Sequence, residues 1–174
     1  MHLSFQINSG NLADFIAHWS SKYRYSDEEK YDRNIGQPLT ESARLDLFEW
    51  KNGSVISARK LESIDKNYPV TFNGHHEERY LNHKESGGAI WNIFYLHCLD
   101  QNKWPIFDQH TYRAMKFMKT GEIVEIGTTN KQKYASYVNE YIPFLKGLGC
   151  SDHRETDKAL FAFGQFLKMA GKYA

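Results

Sequence analysis

The stretch GGAIWNIFYLHCL, residues 87–99, decides the fold of this chain. Two glycines precede eleven residues whose apolar side chains fall on nearly every face of a helix. A helix that is apolar all round is buried on most sides. We therefore expect residues 89–99 to form a central helix that the chain enters through a tight glycine turn and leaves at Asp100.

Composition limits the chain to one domain or two small lobes. The sequence has 174 residues, of which 41% are hydrophobic and 15% aromatic, enough for one sizeable core. We expect a single domain over residues 1–174. The net charge is +1, from 22 basic and 21 acidic residues, which excludes a strongly basic protein that coats nucleic acid without specificity.

Cysteine usage and hydropathy predict a soluble, cytoplasmic protein. Cys98 and Cys150 lie far apart and form no CxxC pair, so neither a disulfide framework nor a cysteine zinc site is indicated. No stretch approaches the roughly 18 apolar residues of a membrane span, and the N-terminus has no apolar core of signal-peptide length. We expect a monomer without a membrane partner.

Helical periodicity continues on both sides of the central helix. Upstream, Asn11 caps a predicted helix ending near Ser20, residues 22–37 are interpreted as a surface connection, and helices follow over 41–50 and 54–67. The polar stretch 74–85 is predicted to be helical as well. Downstream, helical patterns cover 107–118, a stretch opening at Thr129 or Asn130 and ending near Gly147, and a final helix capped by Asp152.

Residues 121–130 alternate in a way that allows a short strand, but we favour a loop. Seven or eight helices with at most a token strand predict an all-α, bilobal fold. We expect the two ends of the chain to pack together into one lobe.

The segment WPIFDQH, residues 104–110, carries the most informative polar residue. Asp108 follows Pro105 and precedes an amphipathic helix, so one interpretation is an N-cap that accepts hydrogen bonds from the first backbone N–H groups. The order around it suggests more. A glycine turn, a buried helix and a short proline-containing entry lead to Asp108, which is followed by His110 and Arg113.

This order resembles the helix-hairpin-helix DNA glycosylase superfamily, and WPIFDQHTYR at 104–113 is most similar to the branch related to 8-oxoguanine glycosylases. Residues 154–164 also resemble a C-terminal helix of that branch. The resemblance covers about residues 74–168. It implies a helix-hairpin-helix element, double-stranded DNA as the partner, and Asp108 as the catalytic carboxylate.

The chemistry of base excision suits these residues. Cleavage of an N-glycosidic bond builds positive charge on the deoxyribose, which a fixed carboxylate stabilises. The target base must first leave the stack and enter an aromatic pocket. Flanking side chains are the predicted lining, although core packing is the alternative role for each: Trp91, Tyr95, Trp104, Phe107 and His110.

The resemblance also implies DNA contacts. Gly87 and Gly88 would bind a phosphate through backbone amides, although the pair departs from the Gly-x-Gly spacing of the hairpin and a plain packing turn is the alternative. A basic excess near Asp108 predicts a DNA-facing strip, with a solvated helix face as the alternative. The cations of this strip are Lys103, Arg113, Lys116, Lys119, Lys131 and Lys133. Lys84, just before the glycines, is a further predicted DNA-binding residue.

One departure from the family narrows the predicted reaction. Bifunctional members carry a Schiff-base lysine where the helix after the hairpin begins, but this chain has Ala89, Ile90, Trp91 and Asn92 there. Lys84 and Lys51 do not occupy the expected place. We therefore expect a monofunctional glycosylase. The alternatives are a protein that kept the fold and lost the reaction, and a non-catalytic DNA-binding or interaction module on the same scaffold.

Two other interpretations concern metals and hydrolysis. His75, His76, Glu77 and His83 are potential ligands, and His76 and His83 would share a face if one helix carried both, but the spacing matches no zinc motif. Asp108 with His110 could act as an acid/base or metal-binding pair, without a visible third partner. No nucleotide or hydrolase motif is present, so we expect neither cofactor nor metal.

Overall fold

The computed structural model describes residues 10–71, 74–150 and 152–172. These residues form helices joined by loops and contain no β-strand, which confirms the predicted all-α class and the loop before residue 130. The helices are α1 (Leu12–Ser20), α2 (Glu28–Asn34), α3 (Glu41–Asn52), α4 (Ala58–Asn67), α5 (His76–Tyr80), α6 (Ala89–Leu99), α7 (Gln109–Thr120), α8 (Asn130–Ser136), α9 (Ile142–Leu148) and α10 (His153–Ala170). A π-helical turn, Tyr137–Tyr141, joins α8 to α9.

Three predicted segments differ from the structure. The supposed connection at 22–37 contains α2, because Tyr31 is buried at 3% exposure and Glu28 accepts a hydrogen bond from the Trp50 indole. The helix expected over 54–67 begins only at Ala58. The stretch 74–85 is helical for a single short segment, α5, which ends at Tyr80.

The described residues divide into two compact units, and the prediction of one domain stays a prediction. The first unit comprises residues 10–24, 107–128, 135–150 and 152–172. Helix α10 packs against both α7 and α1, so the two ends of the chain do share one unit. Phe163 of α10 lies at the centre, with ring centroids 5.3 Å from Phe15 and 4.9 Å from Trp19.

Helices α7 and α10 approach each other most closely at Gly164. A Cβ atom at this position would lie 2.0 Å from the carbonyl oxygen of His110 and 2.6 Å from its carbonyl carbon. The obstacle is backbone, which cannot rotate away as a long side chain can. Glycine is therefore required at position 164 by the crossing itself.

The second unit comprises residues 25–71, 74–106 and 129–134, with α6 at its centre. Eight of the eleven residues of α6 are buried, as its apolar pattern predicts. Its Phe94 contacts Phe48 and Trp50 of α3, at centroid distances of 5.5 and 5.8 Å. Helix α6 spans only about 16 Å at 1.5 Å per residue. Within the described ranges, no helix has the length and apolarity needed to cross a membrane.

We predict that Gly164→Ala destabilises the protein by about 3 kcal/mol, because the new methyl group forces α7 and α10 apart. Gly147→Ala is the matched control, since Gly147 is exposed in α9 and a Cβ there meets nothing within 4 Å. The control should stabilise by about 0.5–1 kcal/mol. Urea denaturation measures both. Equal effects of the two substitutions would contradict the close contact.

Candidate active site

Asp108 is the N-cap of α7. Its backbone is extended, and its Oδ1 atom accepts hydrogen bonds from the backbone N–H groups of His110 at 2.8 Å and Thr111 at 3.0 Å. The Thr111 hydroxyl in turn accepts a hydrogen bond from the Asp108 N–H at 3.0 Å, which completes a capping box. The capping role considered from the sequence is therefore present. The carboxylate is held in one orientation, half-buried at the helix start.

His110 lies in the first turn of α7, two residues after Asp108. Its ring is half-buried and meets Phe161 of α10 edge to face, with centroids 4.9 Å apart. Burial lowers the pKa of His110, which the negative charge of Asp108 opposes and the positive charge of Arg113 reinforces. The Arg113 Nη1 atom lies 3.2 Å from Nδ1 of His110. Since a guanidinium can only donate, this hydrogen bond requires an unprotonated Nδ1 and therefore a neutral ring.

Arg113 pairs with an acidic side chain of its own unit. It is fully buried, and its guanidinium binds both carboxylate oxygens of Glu125, at 2.7 Å each from Nη2. Its Nη1 atom also donates to the carbonyl oxygen of Gly164, at 2.9 Å. The contact of Arg113 with DNA stays a prediction; in the structure its charge is paired with Glu125, whose side chain is 63% exposed. Arg113 ties α7 to α10 and to the loop after α7.

Two of the predicted DNA-facing lysines have acidic partners in the protein. Lys103 forms an ion pair with Glu77, and both side chains are more than half exposed. Lys116 pairs with Glu140 at 3.0 Å, with 23% and 33% of the two side chains exposed. Exposed ion pairs contribute about 0–1 kcal/mol, so the exposed Lys103–Glu77 pair adds little to stability. Lys84 is exposed beside the glycine turn.

The glycine turn at Gly87 and Gly88 is stabilised by Asn130, which the sequence pattern predicted only as a possible cap of its own helix. Asn130 accepts a hydrogen bond from the Ala89 N–H and donates one to the Gly87 carbonyl, both at 3.1 Å. Thr129 provides the side-chain bond to the start of α8, accepting from the Gln132 N–H at 3.2 Å. The first amide of α6 is therefore already bonded, which leaves the predicted phosphate contact at this turn with one donor fewer.

Gly87 itself cannot carry a side chain. Its φ angle is +97°, and an added Cβ would lie 2.3 Å from Oδ1 of Asn92. Asn92 is fully buried and bonded on both sides, accepting from the Tyr68 hydroxyl and donating to that of Tyr134, each at 2.8 Å. Asn92 thus gives the first turn of α6 a neutral polar network, and none of residues 89–92 is a lysine. The amine beside this turn belongs to Lys60 of α4, whose ammonium lies over the Trp91 ring, 5.8 Å from its centroid.

The predicted base-pocket residues have different environments. Tyr95 and Phe107 are core residues, at 0% and 1% exposure, and the Tyr95 hydroxyl donates to the Pro69 carbonyl. These two residues therefore have the core-packing role that was the alternative to lining a base pocket. Trp104 is 9% exposed beneath the Lys103 ammonium. Trp91 is half-buried and lines a small cavity of about 90 Å³ beside the glycine turn.

The histidine-rich segment does not assemble a metal centre. Helix α5 stops at Tyr80, so no single helix face carries both His76 and His83. Among the described residues, no group of three or more His, Cys, Asp or Glu side chains is placed to hold a metal ion. His75, His76 and Glu77 instead line an open cavity of about 430 Å³ in the second unit, together with Trp104.

Sequence reasoning missed the tyrosines of the π-helical turn. Tyr137 and Tyr141 are both fully buried against Phe107, the residue before Asp108, at centroid distances of 5.2 and 5.0 Å. The signal that could have found this turn is Pro143, which lies inside a helical pattern. Proline has no N–H for the helix ladder and clashes with the carbonyl four residues before it.

Comparisons with protein-family models, with curated protein sequences and with solved structures give no match to this chain.

We predict a pH dependence of stability that originates at His110. An unfolded histidine has a pKa of about 6.5. Because the folded pKa is lower, the unfolded state binds more protons as the pH falls, and the free energy of unfolding decreases below about pH 6.5. His110→Gln should lose less stability than the wild type between about pH 7.5 and 5.5.

The control for this experiment is His75→Gln, which changes an exposed histidine in the second unit. It should reproduce the wild-type pH dependence in urea denaturation. Identical slopes for wild type and His110→Gln would show that burial of this ring does not couple folding to protons.

Proposed function

We propose that this protein is a monofunctional DNA glycosylase that cleaves the N-glycosidic bond of a damaged or modified base, with Asp108 as its catalytic carboxylate. The observation that carries the proposal is the fixed orientation of Asp108. Two backbone N–H groups bind the same oxygen, and the capping box closes from the other side. A carboxylate held in this way needs little reorganisation when positive charge develops beside it.

The surroundings of Asp108 support charge stabilisation over proton transfer. Burial keeps the His110 ring neutral, and the Arg113 guanidinium is paired with the Glu125 carboxylate. Neither supplies a cation that would cancel the field of the carboxylate at the sugar. Water is then the nucleophile, and Asp108 stabilises the oxocarbenium-like ring and orients the water.

The first turn of α6 supports the monofunctional form of the reaction. Ala89 is buried, and Asn92 is committed to two tyrosine hydroxyls. A Schiff base needs a primary amine at the reacting carbon, so the expected product is an abasic site and not a covalent enzyme–DNA intermediate.

We predict that Asp108→Asn lowers the single-turnover rate of base release by at least about 100-fold. Asparagine caps a helix nearly as well as aspartate, so the fold is kept while the charge is lost. The assay presents duplex oligonucleotides, each with one damaged or modified base, and measures alkali-labile abasic sites. Stability should change by less than about 1 kcal/mol.

The matched control is Asp152→Asn. Asp152 caps α10 with the same type of bond, accepting from the Glu155 N–H at 2.9 Å. Its substitution should leave the rate of base release unchanged. Full activity in Asp108→Asn would reduce Asp108 to a helix cap and favour the non-catalytic DNA-binding alternative.

We also predict that borohydride traps no covalent adduct between the protein and an oligonucleotide it acts on. The control is a Lys51→Ala variant, which removes a lysine whose ammonium lies over the Phe94 ring of α6, at 5.6 Å. Wild type and variant should be equally free of adduct on a denaturing gel. A trapped species that disappears in Lys51→Ala would place the nucleophile on α3.

A further inference from the structure

The guanidinium of Arg113 has five N–H groups, and the structure places an acceptor near each of them. Its Nε atom donates to Oε1 of Glu125 at 3.0 Å, and its Nη2 atom lies 2.7 Å from each oxygen of the same carboxylate. Its Nη1 atom lies 2.9 Å from the Gly164 carbonyl oxygen and 3.2 Å from Nδ1 of His110. The ring nitrogen of His110 is therefore the acceptor for the fifth N–H group.

Burial of Arg113 decides which nitrogen of the His110 ring carries the proton. A proton on Nδ1 would turn this acceptor into a donor and leave one guanidinium N–H without a partner. Such a loss costs about 1–3 kcal/mol in a buried position, and Arg113 is fully buried. The Gly164 carbonyl, which also faces the ring, already accepts from Arg113. The proton of the neutral ring therefore lies on Nε2.

The Nε2–H group of His110 points away from Arg113, because the two nitrogens of an imidazole ring point in different directions. Its neighbour is Gln109, an exposed side chain whose amide nitrogen lies 3.5 Å away. Two N–H groups do not bond each other, and this distance exceeds the range of about 2.7–3.2 Å for N–H hydrogen bonds. The Nε2–H group therefore faces the surface of the first unit without being held by this amide nitrogen.

The ring that carries this donor is fixed in position. Phe161 packs against it edge to face at 4.9 Å, and Arg113 holds its Nδ1 atom. The backbone of His110 is held as well, since its N–H bonds Oδ1 of Asp108 at 2.8 Å and its carbonyl lies against Gly164. A neutral hydrogen-bond donor and a carboxylate thus belong to the same fixed turn.

We infer that His110 is a further catalytic residue, which donates a hydrogen bond from Nε2 to the departing base while Asp108 stabilises the sugar. This inference rests on the proposed glycosylase function. Arg113 is a positioning residue in it. It is buried away from the substrate and acts by keeping the ring proton of His110 on Nε2.

Base release has a use for such a donor. When the bond between C1′ and the base nitrogen breaks, its electron pair stays on the base, and negative charge spreads to the ring nitrogens and carbonyl oxygens. The oxygen of water then bonds C1′, and one proton of that water ends on the base. His110 stabilises the negative charge without giving up its proton. The charge of Asp108 disfavours a phosphate as the acceptor, because like charges repel.

The first test needs no substrate. A long-range ¹H–¹⁵N NMR spectrum of the labelled protein at neutral pH shows which ring nitrogen of His110 is protonated, and it should be Nε2. The signals are assigned by their absence in His110→Phe. In Arg113→Met, which frees the Gly164 carbonyl, the proton should move to Nδ1. A proton on Nδ1 in the wild type overturns the inference, whether or not Arg113→Met folds.

The second test varies the departing base. Duplex oligonucleotides carry substituted forms of the base that the wild type removes, so that the released bases differ in acidity. His110→Phe keeps a ring beside Phe161 and removes the donor. It should lower the single-turnover rate on the order of 100-fold for the least acidic base and little for the most acidic one, which needs less stabilisation.

The matched control is His153→Phe, which changes an exposed histidine in the first turn of α10. It should keep the wild-type rate on the whole series. An equal loss on every base in His110→Phe would make His110 a structural residue and overturn its catalytic role.

The two tests separate this inference from the proposed function. If the wild type cleaves no oligonucleotide, the glycosylase proposal fails, and the departing base fails with it as the acceptor. The NMR spectrum then still decides whether Arg113 fixes the His110 proton on Nε2. If the wild type cleaves and His110→Phe matches its rate on every base, the glycosylase proposal stands and the role of His110 is overturned.

Discussion

The start of α7 is fixed by contacts that permit almost no displacement. The capping box of Asp108 and Thr111 closes the first turn. The carbonyl of His110, in the same turn, lies so close to Gly164 that no side chain fits between them. Arg113 then bonds the Gly164 carbonyl from the same helix. The direction of α7, and with it the direction of the Asp108 side chain, depends on these contacts between α7 and α10.

In the proposed function, Asp108 has a structural role as a helix cap and a catalytic role as a carboxylate. An N-cap needs an oxygen that accepts backbone hydrogen bonds, and asparagine or serine would serve. Stabilising a cationic sugar needs a negative charge held still, which only a fixed carboxylate supplies. The two capping hydrogen bonds hold this negative charge still, because both restrain Oδ1 of Asp108. Capping therefore orients the carboxylate in the proposed function. Capping alone is also the alternative explanation for an aspartate at position 108.

The sequence predicted best those elements whose signals are local. Helix α6 lies where its apolar run and preceding glycines place it, and Asp108 caps α7 as its position before an amphipathic stretch suggests. Helix α2 was missed because it is polar and charged, and it forms around one buried residue, Tyr31, and a bond to Trp50. Neither contact is visible in the spacing of the segment.

The site residues were harder to predict because their roles depend on distant partners. The sequence pattern predicts Arg113 as a surface cation, but its guanidinium is buried and paired with Glu125, twelve residues later. Asn130 reads as a cap for its own helix, yet it bonds the turn at Gly87, 43 residues earlier. Tyr141 shows only as an apolar position in a helix. Its contact with Phe107 depends on a π-helical turn, and Pro143 is the sequence signal for that turn.

The most direct measurement of the role of Asp108 does not require the target base to be known. Duplex DNA with a protonated pyrrolidine in place of one deoxyribose mimics the cationic transition state, and a tetrahydrofuran duplex is its neutral counterpart. If Asp108 stabilises developing positive charge, the wild type should bind the cationic duplex at least about 100-fold more tightly than the neutral one. Asp108→Asn should abolish that preference. Equal affinity of the wild type for both duplexes would contradict a catalytic carboxylate at this position.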